Sequence, residues 1–338
     1  MKMFAVLGAL VLGFLAGCAG APGYHVVKTL PLSGEGGWDY LTTDSAARRL
    51  YVTRGTHVMV LDLDTEKVIG DIPDTEGVHG VALAPELGRG FTSNGRANTS
   101  TIFDLKTLKL LGQVKTGENP DAILYDPASK RVFTFNGRSH DATAFDAASG
   151  TVAGTVPLGG KPEFAVADGK GKVYVNIEDT NEVVAIDSAT LAVVKRCSLK
   201  PGEEPTGLAI DAKRGRLFAV CHNKLMVIVD AAAMQVIATA PIGERVDGAA
   251  FDPGAGLAFA SNGEGTVTVV CESAPGTFEV AETVATQRGS RTMALDPKTH
   301  KLYLVGAEFL PPPPAPPGAP PRRPRIVKDS FVLIVVGK

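Results

Sequence analysis

The sequence is poor in the features that mark several common classes of protein. No stretch has a convincing amphipathic helical period, so the chain does not resemble a helical protein. It also lacks the nucleophile elbow G-x-S-x-G, a P-loop, a dinucleotide fingerprint, the zinc-protease motif HExxH and the haem signature CxxCH. The familiar hydrolase, nucleotide-binding and cytochrome chemistries therefore have no motif here on which to rest.

Cysteine and basic residues are too few or too scattered to suggest other functions. The chain has 4 cysteines without CxxC spacing, and an odd number of them, Cys197, Cys221 and Cys271, lie beyond the first. This pattern argues against a disulfide framework and predicts buried free thiols. A net charge of −2 with dispersed Lys and Arg gives no basic footprint, so we do not expect a nucleic-acid partner.

What the sequence does contain is a repeat of about 42 residues. An aromatic residue in a β-rich run marks each copy, at spacings of 40, 42, 41, 44, 41 and 44 residues. These aromatics are Tyr51, Phe91, Phe133, Tyr174, Phe218, Phe259 and Tyr303. In most copies an Asp such as Asp62 closes the next apolar run, and turn phrases such as "ILYDPASKR" precede the aromatic. Each copy is therefore predicted to be four short antiparallel strands.

Seven such units predict a closed β-propeller. A four-stranded sheet that is apolar on both faces must be covered by neighbouring sheets, and stacking around an axis achieves this. The last copy ends in "FVLIVVGK" (331–338) without a fourth strand, whereas "YHVVKTLPL" (24–32) matches the fourth-strand phrases of other copies. We therefore expect an all-β, seven-bladed propeller over residues 24–338. An N-terminal strand pairing into the last blade would close it and remove an exposed sheet edge.

The repeat also resembles a known family. The phrase "YVTRGTHVMVLDLDTEKVIGDI" (51–72) is similar to the repeat of the YVTN-repeat, YncE-like β-propellers, and the resemblance covers roughly residues 24–338. It implies the fold well and the function poorly. Similar seven-bladed propellers include lactonase-like enzymes and domains of copper and quinone oxidoreductases, so fold analogy selects no chemistry.

The N-terminus predicts export and a lipid anchor. The stretch "MKMFAVLGALVLGFL" has an early Lys and an apolar run too short to span a membrane, as in a secretory signal. It is followed by "AGC", which with the preceding Leu resembles a bacterial lipobox. We expect a signal peptide at 1–17, lipidation of Cys18 and a tether at 18–23. Lipoprotein sorting rules, with Ala19 after the cysteine, favour the periplasmic side of the outer membrane. An ordinary signal peptide is the alternative.

Two sets of residues are predicted to converge at one mouth of the central channel, because two kinds of loop open on the same face of each blade. The first set, here called the channel ring, is the third residue of phrases such as "GWDYL" and "NPDAI" that lead into each blade. Its members are Asp39, His79, Asp121, Glu163, Thr206, Asp247 and Arg291. Four carboxylates, a His and an Arg at one equivalent position suggest a site for a small polar ligand. Alternatively, the carboxylates accept backbone N–H groups that join neighbouring blades.

The second set lies three or four residues beyond each aromatic of the repeat. Its candidate ligand-binding residues are Arg54, Asn94, Asn136, Glu178, His222 and Asn262. The three asparagines precede glycine, and Asn-Gly is a strong signal for a tight hairpin turn with positive φ, so a structural role competes with ligand contact. His79 and His222 are candidates for a metal ligand or a base, and the alternative for each is a satisfied polar side chain.

Crowded carboxylates need a counter-charge, a water cluster or shifted protonation. Asp39, Asp121, Glu163 and Asp247 offer oxygen ligands suited to a divalent cation such as Ca²⁺, although a seven-fold ring can hold them too far apart for one ion. A Pro-rich insertion at about 309–328 is predicted to emerge on the same face as an extended, locally basic loop. It is either a lid or docking arm, or a solvated loop.

These features predict an envelope-anchored platform that binds a small polar ligand or an envelope protein through the channel-mouth face. The membrane contact would be through the lipid anchor only. The alternative is a lactonase-like hydrolase that uses His79 or His222 with Arg54 or Arg291, with or without a divalent cation. Trp38, the only tryptophan, is expected to pack between blades one and seven.

Overall fold

The computed structural model describes residues 23–32, 34, 36–312 and 325–338. The predicted signal peptide (1–17), the predicted lipidation site Cys18, most of the tether and the centre of the Pro-rich insertion lie outside the described residues. Within the described ranges, no helix is both long enough and apolar enough to cross a bilayer.

The described residues form seven four-stranded antiparallel sheets, which are the blades of a propeller. The first strand and blades one to three are β1 (His25–Pro31), β2 (Leu41–Asp44), β3 (Arg49–Thr53), β4 (Val58–Asp62), β5 (Val68–Ile72), β6 (Val78–Ala84), β7 (Arg89–Asn94), β8 (Thr99–Asp104), β9 (Leu110–Lys115), β10 (Pro120–Asp126), β11 (Arg131–Asn136), β12 (Asp141–Asp146) and β13 (Val152–Pro157). Blades four to six are β14 (Pro162–Ala167), β15 (Lys172–Ile177), β16 (Glu182–Asp187), β17 (Ala192–Ser198), β18 (Pro205–Asp211), β19 (Arg216–Cys221), β20 (Leu225–Asp230), β21 (Gln235–Pro241), β22 (Val246–Asp252), β23 (Leu257–Asn262), β24 (Thr266–Ala274) and β25 (Thr277–Ala285). Blade seven contains β26 (Met293–Asp296), β27 (Lys301–Gly306) and β28 (Val332–Gly337). One turn of 3-10 helix, Pro85–Leu87, joins β6 to β7.

The two ends of the chain close the ring, as the sequence predicts. Blade seven has the order β1-β28-β27-β26, so the N-terminal strand lies beside the C-terminal one. The Leu32 amide continues this pairing by donating to the Phe331 carbonyl at 2.8 Å. The first strands of successive blades contact one another around the axis, and β26 contacts β2. The first strand of every blade therefore lines the channel.

Repeated aspartates build the turns on the opposite side from the channel mouth. In the hairpin between β12 and β13, Asp146 Oδ1 accepts the amides of Ala148 and Ser149 at 3.1 and 2.7 Å. The same arrangement recurs at Asp62, Asp104, Asp187 and Asp230. A short side chain whose carboxylate accepts hydrogen bonds from two backbone amides replaces the ladder hydrogen bonds that are lost where the chain reverses. The repeated Asp is therefore a structural feature.

Apolar side chains fill the interfaces between blades. At the closure between blades seven and one, Leu50 and Val52 pack with Phe331 and Val335. Trp38 packs on this cluster, with its ring centroid 5.1 Å from that of Phe331, which confirms the expected position of the only tryptophan.

The prediction of buried free thiols holds for two of the three cysteines. Cys197 and Cys221 are free and buried. Cys271 has a bonding partner, so the prediction is wrong for this residue.

Candidate functional site

The channel ring lies where the first strand of each blade begins. Asp39 and Arg291 precede β2 and β26, while His79, Asp121, Glu163 and Asp247 are the second residues of β6, β10, β14 and β22. The seventh member, Thr206, is buried and donates to the carbonyls of Val220 and Val246 at 3.4 and 3.3 Å, so its role is to join blades five and six. The other six point to one channel mouth, as their contacts show.

Asp39, His79 and Asp121 form a cluster contributed by three consecutive blades. His79 Nδ1 lies 2.6 Å from Asp39 Oδ2 and 3.6 Å from Asp121 Oδ1. Burial opposes protonation of the imidazole, but the hydrogen bond to Asp39 and the charge of Asp121 outweigh it and raise the pKa of His79 to about 9. At neutral pH His79 is therefore an imidazolium held between two carboxylates.

Glu163 and Glu178 share a cation that the sequence did not single out. Lys161 Nζ lies 2.7 Å from Glu163 Oε1 and also forms an ion pair with Glu178 Oε2. Burial and the nearby Asp121 charge still raise the pKa of Glu163, although Lys161 acts in the opposite direction. Burial dominates because the lysine is 42 % exposed and its charge is shared between two carboxylates.

Asp247 pairs with Arg291 across the junction of blades six and seven, with Arg291 Nε 3.1 Å from Asp247 Oδ2. Burial raises the pKa of Asp247 to about 7, and the charges of Asp39 and Asp121 add to this effect against the opposing Arg291. The pKa of Asp121 is raised to about 6, again mainly by burial. The channel ring thus contains carboxylates whose pKa values lie near neutral pH.

Tyr40 and Phe164 form an aromatic floor beneath the ring, which sequence reasoning missed. Each directly follows a ring residue, on blades one and four, and their ring centroids are 4.9 Å apart at an interplanar angle of 66°. A contact between such distant blades closes the channel at this depth. The carboxylates around the Tyr40 hydroxyl and its burial raise the Tyr40 pKa, with burial the larger cause. The only sequence signal was an aromatic residue after an acid in two of the seven phrases.

The three Asn-Gly dipeptides do not form the tight positive-φ turns that the sequence predicted. The asparagines end their strands fully buried, and the positive φ angles in these hairpins lie farther on, as at Asn98, His140 and Gly265. Asn94 donates from Nδ2 to the hydroxyls of Thr99 and Thr101 on the neighbouring strand. Asn136 and Asn262 donate to the next strand in the same way. These side chains therefore join strands two and three of their blades.

Arg54 also serves the closure of the propeller and not the channel. It is 1 % exposed, donates to the carbonyls of Gly34 and Gly36, and lies 3.6 Å from the centre of the Phe331 ring. Burial lowers its pKa to about 10. The prediction that Arg54 supports catalysis at the channel mouth does not fit this position.

Among the cavities on the channel-mouth face, two share Gly37 and Trp38. One, of about 680 Å³, is lined by His222, Arg245, Arg291 and Phe309 among others. The other, of about 550 Å³, is lined by Asp39, His79, Gly95, Asn98, Asn119, Arg96 and Arg138 among others. His222 also pairs with Glu204, at 3.2 Å between Nδ1 and Oε2.

The stem of the Pro-rich insertion reaches the first of these cavities. Phe309 and Ile326 form a β-bridge and both line the 680 Å³ cavity. The described stem of the insertion therefore lies on the predicted face.

The structure divides the four carboxylates predicted to share one cation. Glu163 pairs with Lys161 and Asp247 pairs with Arg291. Among the described residues, the group whose ligand atoms all lie within 4.8 Å of one another consists of Asp39, His79 and Asp121. A single Ca²⁺ bound by all four carboxylates does not fit this arrangement.

Comparison with known proteins supports the fold and leaves the family open. No protein-family model matches the chain, and no curated protein matches it either. Among solved structures, hydrazine synthase from Kuenenia stuttgartiensis is similar, with a TM-score of 0.69 and 16% identity over 81% of this chain and 94% of that chain. At this identity the likeness shows the propeller fold alone. Membership of the YVTN-repeat family stays a prediction.

Proposed function

We propose that this protein is an envelope-anchored β-propeller that captures a small organic anion through its channel-mouth face. The observation that carries the proposal is the 680 Å³ cavity, where His222, Arg245 and Arg291 lie with the aromatic rings of Trp38 and Phe309. Its volume is within the range of about 300 to 1,000 Å³ that is usual for small-molecule sites. Guanidinium groups bind carboxylate or phosphate, and the rings provide apolar contact for the rest of the ligand.

The test uses Trp38 as a reporter, since it is the only tryptophan and lines the cavity. Benzoate and phenyl phosphate serve as probes, and we expect each to change the Trp38 emission in a saturable way. Arg245→Gln should weaken binding at least tenfold. Arg214→Gln is the matched control, because Arg214 lies in the β18–β19 hairpin on the opposite side and is 59% exposed. Equal weakening by both variants, or no saturable change with either probe, would contradict the proposal.

A lactonase-like hydrolase is the second candidate, and the Asp39–His79 pair favours it. A carboxylate 2.6 Å from one imidazole nitrogen, beside an open cavity, is the arrangement of a general base and its orienting group. Against it, a pKa of about 9 keeps His79 protonated at neutral pH. Lactone hydrolysis should be assayed from pH 7 to 10, with and without Ca²⁺ or Mg²⁺. Turnover that rises towards pH 9 and is lost in His79→Ala would favour the hydrolase.

The envelope location rests on the N-terminal sequence. Lipidation of Cys18 would hold the propeller at the outer membrane, on its periplasmic side, through a short tether. Cys18→Ala should move the protein from the membrane fraction to the soluble fraction of cells. The platform could instead bind an envelope protein. Such a partner would be recovered with the wild-type protein in a pull-down from detergent-solubilised envelope, and it would be lost with Arg245→Gln.

A further inference from the structure

We propose that Asp39, His79 and Asp121 form a binding site for a first-row divalent cation of the Zn²⁺ type, with a coordination position open to the 550 Å³ cavity. The site lies on the same face as the anion cavity but does not depend on it, because none of its three ligands lines the 680 Å³ cavity.

The distances suit a shared ion. The three candidate ligand atoms all lie within 4.8 Å of one another, with His79 Nδ1 2.6 Å from Asp39 Oδ2 and 3.6 Å from Asp121 Oδ1. Zinc–ligand bonds of about 2.0 to 2.2 Å place tetrahedral ligand atoms roughly 3.4 Å apart. A cation between these atoms therefore requires each separation to change by about 1.4 Å at most. His79 and Asp121 are the second residues of their inner strands and Asp39 lies two residues before one, so the sheets hold their backbones in place.

Glycine at position 95 leaves room for the imidazole. A Cβ at Gly95 would lie 2.7 Å from His79 Nε2 and 3.1 Å from Asn119 Oδ1. A side chain at this position would therefore displace the His79 ring.

A buried oxygen atom points to a missing partner at the same place. Asp121 Oδ1 is buried and accepts no hydrogen bond from any described residue. Buried polar atoms are seldom left without a partner, because an unmet one destabilises the fold. A cation between Asp39, His79 and Asp121 would meet the Asp121 oxygen directly.

The donor set identifies the class of ion. One imidazole nitrogen and two carboxylate oxygens are ligands typical of Zn²⁺ and its first-row neighbours, whereas Ca²⁺ takes six to eight oxygen atoms. Three protein ligands leave a fourth position free, and this position faces the cavity that Asp39 and His79 line. The predicted ion is therefore not the Ca²⁺ suggested by the four carboxylates.

The experiment is a calorimetric titration of EDTA-treated full-length protein with Zn²⁺ and, separately, with Ca²⁺. We expect one equivalent of Zn²⁺ to bind at least a hundredfold more tightly than Ca²⁺, and Co²⁺ to give the visible absorption of a low-coordinate site. His79→Ala and Asp121→Ala should each weaken Zn²⁺ binding at least tenfold. Two matched controls, His57→Ala and Asp71→Ala, each remove one member of a His–Asp pair outside the channel ring and should leave it within threefold.

Thermal unfolding of each variant without metal shows whether it still folds, and Asp39→Asn, which keeps the size of the side chain, replaces any variant that does not. The proposal is overturned if no stoichiometric Zn²⁺ binds, if Ca²⁺ binds as tightly, or if the controls lose as much affinity as His79→Ala. Titration of metal-free protein with benzoate, followed by Trp38 emission, tests the anion cavity separately. Loss of one activity with retention of the other therefore distinguishes the two proposals.

Discussion

The aspartates of the turns and those of the channel ring show how one side chain behaves in two surroundings. At the β12–β13 turn, hydrogen bonds from the Ser149 hydroxyl and amide lower the pKa of Asp146. In the ring, burial raises the pKa of Asp247 to about 7 and that of Asp121 to about 6, and neighbouring carboxylates add to the effect. The turn acids are stabilised as anions by the fold, whereas the ring acids are not.

This difference separates structural from functional acids. A carboxylate that accepts hydrogen bonds from backbone amides contributes to folding, so its presence in most repeats is explained without a ligand. A carboxylate that is buried among other carboxylates destabilises the folded chain when it ionises. Asp121 and Asp247 therefore weaken the fold at neutral pH, and binding at the channel mouth gives them a reason to be there.

The largest effect is expected from a turn acid that also joins two blades. Asp296 is fully buried and accepts from Arg48 at 2.6 Å and Ser45 at 2.5 Å across the closure of the ring. Asp296→Ala removes the fully buried carboxylate, leaves the half-buried Arg48 with only its exposed partner Asp64, and should lower the free energy of unfolding by about 3 to 5 kcal/mol. Urea denaturation measures the change. Asp64→Ala, which removes the exposed partner of the same arginine, should change stability by about 0.5 kcal/mol at most. Similar losses in the two variants would contradict the assignment.

The pH dependence of stability should follow the ring and not the turns. Asp247 and Asp121 bind protons more tightly when folded, so their effect is a loss of stability as the pH rises from about 4 through 6 and 7. The pKa of His79 is also raised, so its stabilisation is complete below about 6.5 and lost as the pH rises through about 9. Turn acids with lowered pKa values, such as Asp146, change the pH dependence only at low pH: the stability they contribute is lost as the pH falls below about 4.

The contributions of Asp121, Asp247 and His79 have the same sign between pH 5 and 9, and so does that of Glu163, whose pKa burial also raises. The free energy of unfolding should therefore fall by an amount on the order of 3 kcal/mol over this interval. Urea denaturation at pH 5, 7 and 9 provides the measurement. A flat profile, or a maximum near pH 8, would show that the ring carboxylates are ionised without cost in the folded chain.

The sequence predicts the features that recur from repeat to repeat better than the contacts that occur only once. The seven-fold period predicts the blades, the closure by β1 and the convergence of the channel ring, because equivalent positions of a repeat occupy equivalent places. It could not predict that Tyr40 meets Phe164, since that contact joins two different repeats across the axis. Nor could it predict that Lys161 pairs with Glu163 and Arg291 with Asp247, because each pairing depends on a cation that occurs in one repeat only.

The Asn-Gly dipeptides show a second limit. Local preference predicts a tight turn, but Asn94 is buried at the end of its strand, where its amide meets two threonine hydroxyls. Those threonines lie on the next strand, which local preference does not consider. Tertiary hydrogen bonding therefore determined the role of the asparagine.

Neutralising a ring acid should stabilise the protein. Asp247→Asn removes a charge that burial disfavours, and its partner Arg291 is 56% exposed and can be hydrated. We expect a gain of about 1 to 2 kcal/mol at pH 8 that disappears at pH 5, where Asp247 is already protonated. The turn residue Asp126 is the matched control, because it accepts from the Ser129 amide and hydroxyl. Asp126→Asn should destabilise at both pH values, and a gain in this variant would remove the distinction between the two groups.

The smallest effect tests a single repeated turn. Asp146→Ala removes the acceptor for the amides of Ala148 and Ser149 and should lower the free energy of unfolding by about 1 kcal/mol. The loss should be constant from pH 6 to 9, because the lowered pKa keeps this acid ionised throughout that range. Urea denaturation at the two limits checks both statements. A loss that grows with pH would mean that Asp146 interacts with the titrating ring, which its place on the opposite side of the propeller does not allow.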